Sequence, residues 1–185
     1  MGKAPLYTIG YGARDISSFI AVLQKYEIAY LIDIRSRPYS RYKPEFSKQP
    51  LAEQLQQAGI RYVYMGDTLG GQPDDPTCYV EGKVDYEKVQ EQPFYQRGLE
   101  RLREAQRQGL RVALMCSEGK PEQCHRSKLI GRSLDAEELP VAHIDEYDEV
   151  VTQQEVMARL HGGQLTLFDL QYTSRKRYQQ EEDEP

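Results

Sequence analysis

Five short apolar runs, at residues 6–9, 29–34, 60–65, 110–115 and 141–144, recur along the chain, and each is followed by helical spacing or a long loop. The runs show almost no polar alternation, which is the pattern of strands covered on both faces. The intervals between them are too long for hairpins, so consecutive strands must pair in parallel through crossovers. This patterning specifies an α/β fold: a single doubly wound, mainly parallel five-stranded sheet flanked by helices. Helix signals fall between the runs. Asp15 or Ser17 can cap a helix carrying Phe19, Ile20, Leu23 and Tyr26, and Pro50 starts another with Leu51, Leu55 and a stop at Gly59. Pro93 opens a long helix that closes at Gly109, and Thr152 with Glu155 makes a capping box for a last helix ending near Leu160. A length of 185 residues suits one domain, so residues 1–160 are assigned to the α/β domain and 161–185 to a C-terminal tail.

Ligands of such sheets sit beyond the carboxyl ends of the strands. The unusual residues of this chain fall there: Gly10, Tyr11 and Gly12 after the first run, Asp33 and Arg35 after the second, Gly66 after the third, Cys116 after the fourth and Asp145 after the fifth. Scattered in sequence, they converge in space. The glycine- and proline-rich segment 66–82 exceeds an ordinary connection and reads as a functional loop or lid.

Residues 111–134 gather the most chemistry. Cys116 ends a strand, a polar loop containing Glu118 follows, and a helix opens with Cys124, His125 and Arg126. A thiol facing a helix N-terminus, an imidazole and a guanidinium can have a lowered pKa, which makes Cys116 a candidate nucleophile, with His125, Glu118 and Asp33 as candidate acids or bases. A reversible disulfide between Cys116 and Cys124 is an alternative, and so is a buried cysteine without chemistry. Metal binding is weakly supported. Cys116 and Cys124 are eight residues apart where zinc pairs are two to four apart, and adjacent Cys124 and His125 rarely reach one ion, even with Cys78 or His143 as further ligands. A phosphatase loop would carry arginine six residues after Cys116, where this chain has Glu122. Asp33 can act as a general base or can fix an arginine, and Glu118 can instead simply solvate its loop. No cofactor is indicated.

The charge pattern points to anions. The net charge is −5, yet residues 35–48 hold Arg35, Arg37, Arg41, Lys43 and Lys48 against the single acid Glu45, interleaved with Tyr39, Tyr42 and Phe46. Basic and aromatic residues together fit a surface for phosphates and bases, so Gly10, Tyr11, Gly12, Arg35, Arg37, Arg41 and Arg126 are the expected anion- or nucleic-acid-binding residues. A solvated loop with packed aromatics is the plain alternative. Fourteen tyrosines can form a stacking surface, but rings with a polar tip are more ordinarily boundary residues. An odd number of cysteines, three, and the lack of a long apolar stretch point to a reduced cytoplasmic setting without a membrane. Both a monomer and a homodimer are compatible with the chain.

Two resemblances add to this reading. The segments TIGYG at 8–12, LIDIRSRPYSR at 31–41, LGG at 69–71 and ALMCSEGKPEQCHR at 113–126 resemble the microbial family called domain of unknown function 488, over about residues 8–144. The resemblance implies a compact α/β domain with a site formed by the Gly10-Tyr11-Gly12 turn, Asp33, Arg35, Cys116, Glu118, Cys124, His125 and Arg126. It supplies no roles. The tail string Gln164-Leu165-Thr166-Leu167-Phe168 resembles the pentapeptide by which many bacterial DNA polymerases and repair proteins dock on the replication sliding clamp. Leu165, Leu167 and Phe168 would be apolar anchors and Gln164 a rim hydrogen bond, unless the leucines and Phe168 pack back on the domain.

The leading expectation is therefore a protein of DNA maintenance that binds or acts on nucleic acid or nucleotides and is recruited by the sliding clamp. A rhodanese-like or redox enzyme using Cys116 on a small molecule, and a non-enzymatic ligand-binding adaptor, are the competing expectations.

Overall fold

All five apolar runs form strands, because each alternates its side chains between two covered faces. The computed structural model describes residues 4–162 and 172–178. In chain order the elements are β1 (Leu6–Gly10), α1 (Ile16–Lys25), β2 (Tyr30–Asp33), α2 (Lys48–Gln57), β3 (Arg61–Tyr64), α3 (Gly66–Leu69), β4 (Tyr79–Val80) and β5 (Lys83–Val84). There follow α4 (Tyr86–Gln90), α5 (Pro93–Arg107), β6 (Val112–Cys116), α6 (Arg132–Ala136), β7 (Val141–Ile144), β8 (Val150–Thr152) and α7 (Gln153–Leu160). The central sheet has the order β3-β2-β6-β1-β7-β8. Its five long strands are parallel, with Gly10 level with Cys116 and Asp33 level with Met115.

Alternation builds two cores. Leu6, Ile32, Leu114 and Cys116 face a cluster with Met65, Tyr95, Leu99, Leu102 and Leu129. Tyr7, Ile9, Leu31, Ala113 and Met115 face the other, with Phe19, Leu23, Phe46 and Leu55. A sheet buried on both sides accounts for the lack of polar alternation.

Three expectations need correction. The sheet has six strands: β8 adds antiparallel to β7 across a short turn, a pairing that a three-residue run does not announce. Helix α2 starts at Lys48, so Pro50 sits inside its first turn, where a missing N–H costs nothing. Segment 66–82 is structured, containing α3, a 3-10 turn at Pro76–Cys78 and β4, which pairs with β5. The Asp15 cap and the Thr152–Glu155 capping box are present as expected. Among the described residues no helix is long and apolar enough to cross a membrane.

A buried polar network locks the carboxyl edge. Arg126, fully buried, donates through Nη1 to Thr8 Oγ1 at 2.9 Å and to the Ile144 carbonyl, and Thr8 Oγ1 lies 2.7 Å from His143 Nδ1. His143 Nε2 is 2.7 Å from Gln153 Oε1, and Gln153 Nε2 donates to the Ser127 carbonyl. The consistent tautomer is neutral, with Nε2 donating and Nδ1 accepting from Thr8. Burial and the charge of Arg126 push the His143 pKa down to about 3. The unfolded chain then takes up a proton below about pH 6.5 that the native state refuses, so stability falls as pH drops from there toward 3, by up to about 1.4 kcal/mol per pH unit. Urea unfolding measured from about pH 7 to pH 4 should show this slope, and His143→Gln should make it shallower by the His143 share, leaving that of His125. An unchanged slope in the variant would contradict the assignment.

Candidate functional site

The carboxyl ends of β1, β2 and β6 border a cavity of about 240 Å³, lined by residues from six separate segments. Its floor is the segment after β6, whose path is set by close backbone packing. A Cβ on Gly10 would lie 1.6 Å from the Glu118 carbonyl oxygen, and Gly12, at φ +49°, packs its backbone on Gly119. The N–H groups of Tyr11 and Gly12 donate to the carbonyls of Cys116 and Ser117. These two donors are spent on the fold and are not free to bind an anion. Tyr11 remains at the cavity through its ring, which stacks on Phe46 at 4.3 Å.

Asp33 takes the second of its two expected roles. It accepts from the Arg35 backbone N–H, from Arg35 Nε at 2.9 Å and Nη2 at 2.7 Å, and from the Tyr62 hydroxyl at 2.6 Å. A carboxylate holding four donors is an orienting group, not a free base. Burial and Asp33 together push the Tyr62 pKa up, which keeps the phenol a donor. Arg35 also donates to the Phe46 carbonyl, and its remaining nitrogen, Nη1, is buried without a hydrogen-bond partner among the described residues. Burial would lower the Arg35 pKa, but Asp33 outweighs it and the guanidinium stays charged. Arg35 lines the cavity and is only 7% exposed.

Arg126 is corrected in role. Its Nη2 donates to the carbonyls of Glu118 and Gly119, and with the Thr8 and Ile144 contacts the guanidinium is committed to holding this loop. It does not line the cavity, and no anion can reach a fully buried group so occupied. Arg37 is exposed at the cavity, whereas Arg41 lies outside it on the surface beside Tyr42.

The sulfur chemistry also shifts. Cys116 and Cys124 both line the cavity, are free and lie close enough to influence each other. Cys116 is the thiol for which the sequence suggests a low pKa. Burial, reinforced by the contact with Cys124, instead holds its pKa well above the usual thiol value. Burial would raise Cys124 as well, but the contact with Cys116, the charge of Arg126 and the Arg126 backbone N–H bring it below the usual value. His125 Nδ1 lies 3.4 Å from Cys124 Sγ, while Nε2 is fixed 3.0 Å from the Leu69 carbonyl. Burial lowers the His125 pKa, so a neutral ring presents its Nδ1 lone pair to the sulfur. Among the described residues no group of three or more His, Cys, Asp or Glu side chains could hold a metal ion.

Several lining residues carry no motif that singles them out in the sequence: Ser36, Gln72, Tyr86, Arg175, Lys176 and Tyr178. Gln72 N–H donates to Ser36 Oγ, tying the loop after α3 to the turn after β2. Residues 172–178 lie along β5 and the β4–β5 turn. Tyr86 N–H donates to the Tyr172 carbonyl, Ser174 N–H to the Val84 carbonyl and Tyr178 N–H to the Gly82 carbonyl. Arg175 reaches across to Glu118 at 3.0 Å, so the candidate acid or base Glu118 is an ion-pair partner at the cavity rim. The run Ser174-Arg175-Lys176-Arg177, basic beside an acidic end, is the sequence signal for this contribution. Gln164, Leu165, Leu167 and Phe168 lie outside the described residues.

Asp145 stands at the end of β7 but accepts from the N–H groups of Tyr147 and Glu149 and pairs with Arg159, which makes it a turn residue away from the cavity. The family model described as Domain of unknown function DUF488 matches residues 15–132. No curated protein and no solved structure gives a significant match.

Replacing Gly10 by alanine should lower stability by about 3 kcal/mol, because the 117–119 loop would have to leave its packed path. Chemical denaturation checks this. Stability within about 0.5 kcal/mol of the parent would contradict the close approach.

Proposed function

The chain belongs to the family described as Domain of unknown function DUF488, and from that starting point we propose that its cavity binds a phosphate-bearing segment of single-stranded nucleic acid. The observation that carries this reading is Arg35: a nine-tenths buried guanidinium that lines the cavity, is fixed by Asp33, and keeps a buried Nη1 without a partner among the described residues. A buried donor of this kind gains a full charge-assisted hydrogen bond from an incoming phosphate oxygen.

The surroundings support the same ligand. Among the described residues, four cationic side chains, Arg35, Arg37, Arg175 and Lys176, line the cavity against the one acid Glu118, together with Tyr11, Tyr39, Tyr86 and Tyr178. The volume, about 240 Å³, lies below the roughly 300–1,000 Å³ usual for pockets that enclose a whole small molecule. One nucleotide unit would enter while its neighbours run over the adjoining loop. That loop exposes Tyr39 at 71% and Tyr42 at 90%, with Arg37 and Arg41 between and beside them, which is the composition of a stacking platform with phosphate contacts. Recruitment to a sliding clamp through Gln164, Leu165, Leu167 and Phe168 belongs to this reading and rests on the sequence string alone.

Short single-stranded oligonucleotides should bind the full chain at low salt, with affinity falling steeply as salt rises. Replacing both Arg175 and Lys176 by alanine, exposed positions whose loss spares the core, should weaken binding several-fold and flatten the log-log salt slope by about 0.7 for each phosphate no longer neutralised. Arg35→Gln should weaken it most. No binding of any single strand at low salt would sink the reading. Separately, the full chain should bind a purified bacterial sliding clamp, and a variant with Gln164, Leu167 and Phe168 all changed to alanine should not. Equal binding by both would remove the docking role.

A further inference from the structure

We propose that Cys124 and Cys116 form a two-thiol exchange site that reduces a small disulfide entering the cavity, with Cys124 as the attacking sulfur and Cys116 as the resolving one. This goes beyond the nucleic-acid reading and does not rest on it, because it stands on the sulfur geometry.

The two sulfurs face one cavity and lie close enough to influence each other, although one ends β6 and the other follows the 3-10 turn Pro121–Gln123. Their environments differ in a way that divides the labour. Cys124 Sγ receives the Arg126 backbone N–H at 3.5 Å and has the Arg126 charge nearby, and His125 Nδ1 at 3.4 Å is placed to accept its proton. Cys116 Sγ instead points its proton toward the Glu118 carbonyl or Cys124, with no donor directed at it among the described residues. An anionic sulfur is therefore favoured at Cys124 and a protonated one at Cys116, the arrangement in which one thiol attacks and its neighbour waits. The fold does not consume these groups: Arg126 holds the loop through its side chain and leaves its backbone N–H for the sulfur.

The steps balance without an outside reagent other than the disulfide. Cys124 thiolate attacks one sulfur of R–S–S–R′, a Cys124–S–S–R bond forms, the S–S bond of the substrate breaks, and R′–S⁻ leaves with the electron pair. Cys116 then attacks the Cys124 sulfur, the Cys116–Cys124 bond forms, and R–S⁻ leaves and takes the proton that Cys116 gives up. His125 Nδ1, beside the pair, can hold that proton in passage. The dithiol has lost two electrons and the substrate disulfide has gained them. A small monothiol in excess returns the protein to the dithiol by the reverse exchanges.

The third cysteine is an internal control. Cys78 is fully buried, does not line the cavity, and burial with nearby Asp75 and Asp85 pushes its pKa up to about 11. The test treats the reduced full chain with bis(hydroxyethyl) disulfide at neutral pH, quenches in acid, alkylates the remaining thiols and maps the peptides by mass. The parent should yield a Cys116–Cys124 disulfide with Cys78 alkylated. Cys116→Ser should stop at a mixed disulfide on Cys124, and Cys124→Ser should form neither product, its Cys116 reacting at least about ten-fold slower than Cys124 does in the parent. Two results would overturn the proposal: a mixed disulfide on Cys116 forming at the parental rate in Cys124→Ser, or a parent in which all three thiols stay free. Circular dichroism of both serine variants, matched to the parent, ensures that loss of reaction is not loss of fold. Oligonucleotide binding is read separately, so either reading can fail alone.

Discussion

One buried guanidinium determines the shape of the site. Arg126 is the largest fully buried side chain, and its partners are a hydroxyl on β1, a carbonyl at the end of β7 and two carbonyls of the loop after β6. A desolvated charge is costly unless its hydrogen bonds are met. Here the chain meets those of Nη2 by folding residues 118 and 119 back over the strand ends, against Gly10 and Gly12, while Nε has no partner among the described residues. The path of that loop places Cys116 against Cys124, and the same positive charge favours a thiolate at Cys124. The residue that builds the floor thus also tunes the sulfur on it.

Arg35 is the complement of Arg126. Both are buried arginines, but Asp33, with the Tyr62 hydroxyl behind it, neutralises and orients Arg35 while leaving Nη1 for a ligand. A rigid first contact of this kind loses little entropy when an anion arrives. Around it lie contacts of another kind, exposed Arg37, Arg175 and Lys176, which are solvated and free to adapt. Segment 172–178 is part of this rim. It is joined to β5 by backbone hydrogen bonds and to the opposite wall by the Arg175–Glu118 pair, which at a partly exposed site contributes little to stability. The rim is therefore closed more by backbone pairing than by charge.

The fold is legible in the sequence because burial on both faces leaves an unambiguous trace. Runs such as Leu31-Ile32 and Leu114-Met115 admit no other reading than a covered strand, and five of them with long intervals force parallel pairing. Their shared polarity also discloses that Tyr11, Asp33, Arg35 and Cys116 meet. The roles of the meeting residues are less legible, because role depends on who is left unpaired. Arg35 and Arg126 look alike in sequence, yet Arg35 lines the cavity and is held by a carboxylate, whereas Arg126 is outside the lining and spends both terminal nitrogens on the Thr8 hydroxyl and on carbonyls. The Gly10-Tyr11-Gly12 turn suggests an anion-binding element when its glycines serve close approach to a distant loop. Cys116 and Cys124 can be paired on sequence but not ranked, since the ranking comes from a single backbone N–H and a buried charge. The backbone pairings of strand β8 and of segment 172–178 escape sequence reading for a common reason: short pairings carry no hydrophobic period, even where, as at Arg175 and Lys176, the charge is visible.

Everything proposed for the cavity as an anion site hinges on Arg35 Nη1 offering its donor to a ligand at the carboxyl end of the sheet. A crystal structure of the full chain with a short oligonucleotide tests this most directly. A phosphate oxygen should lie within hydrogen-bond distance of Arg35 Nη1, with Asp33 still holding the other side of the guanidinium and the chain of phosphates leaving past Tyr39 and Arg37. An oligonucleotide seated elsewhere, with Arg35 Nη1 still bare, would contradict it.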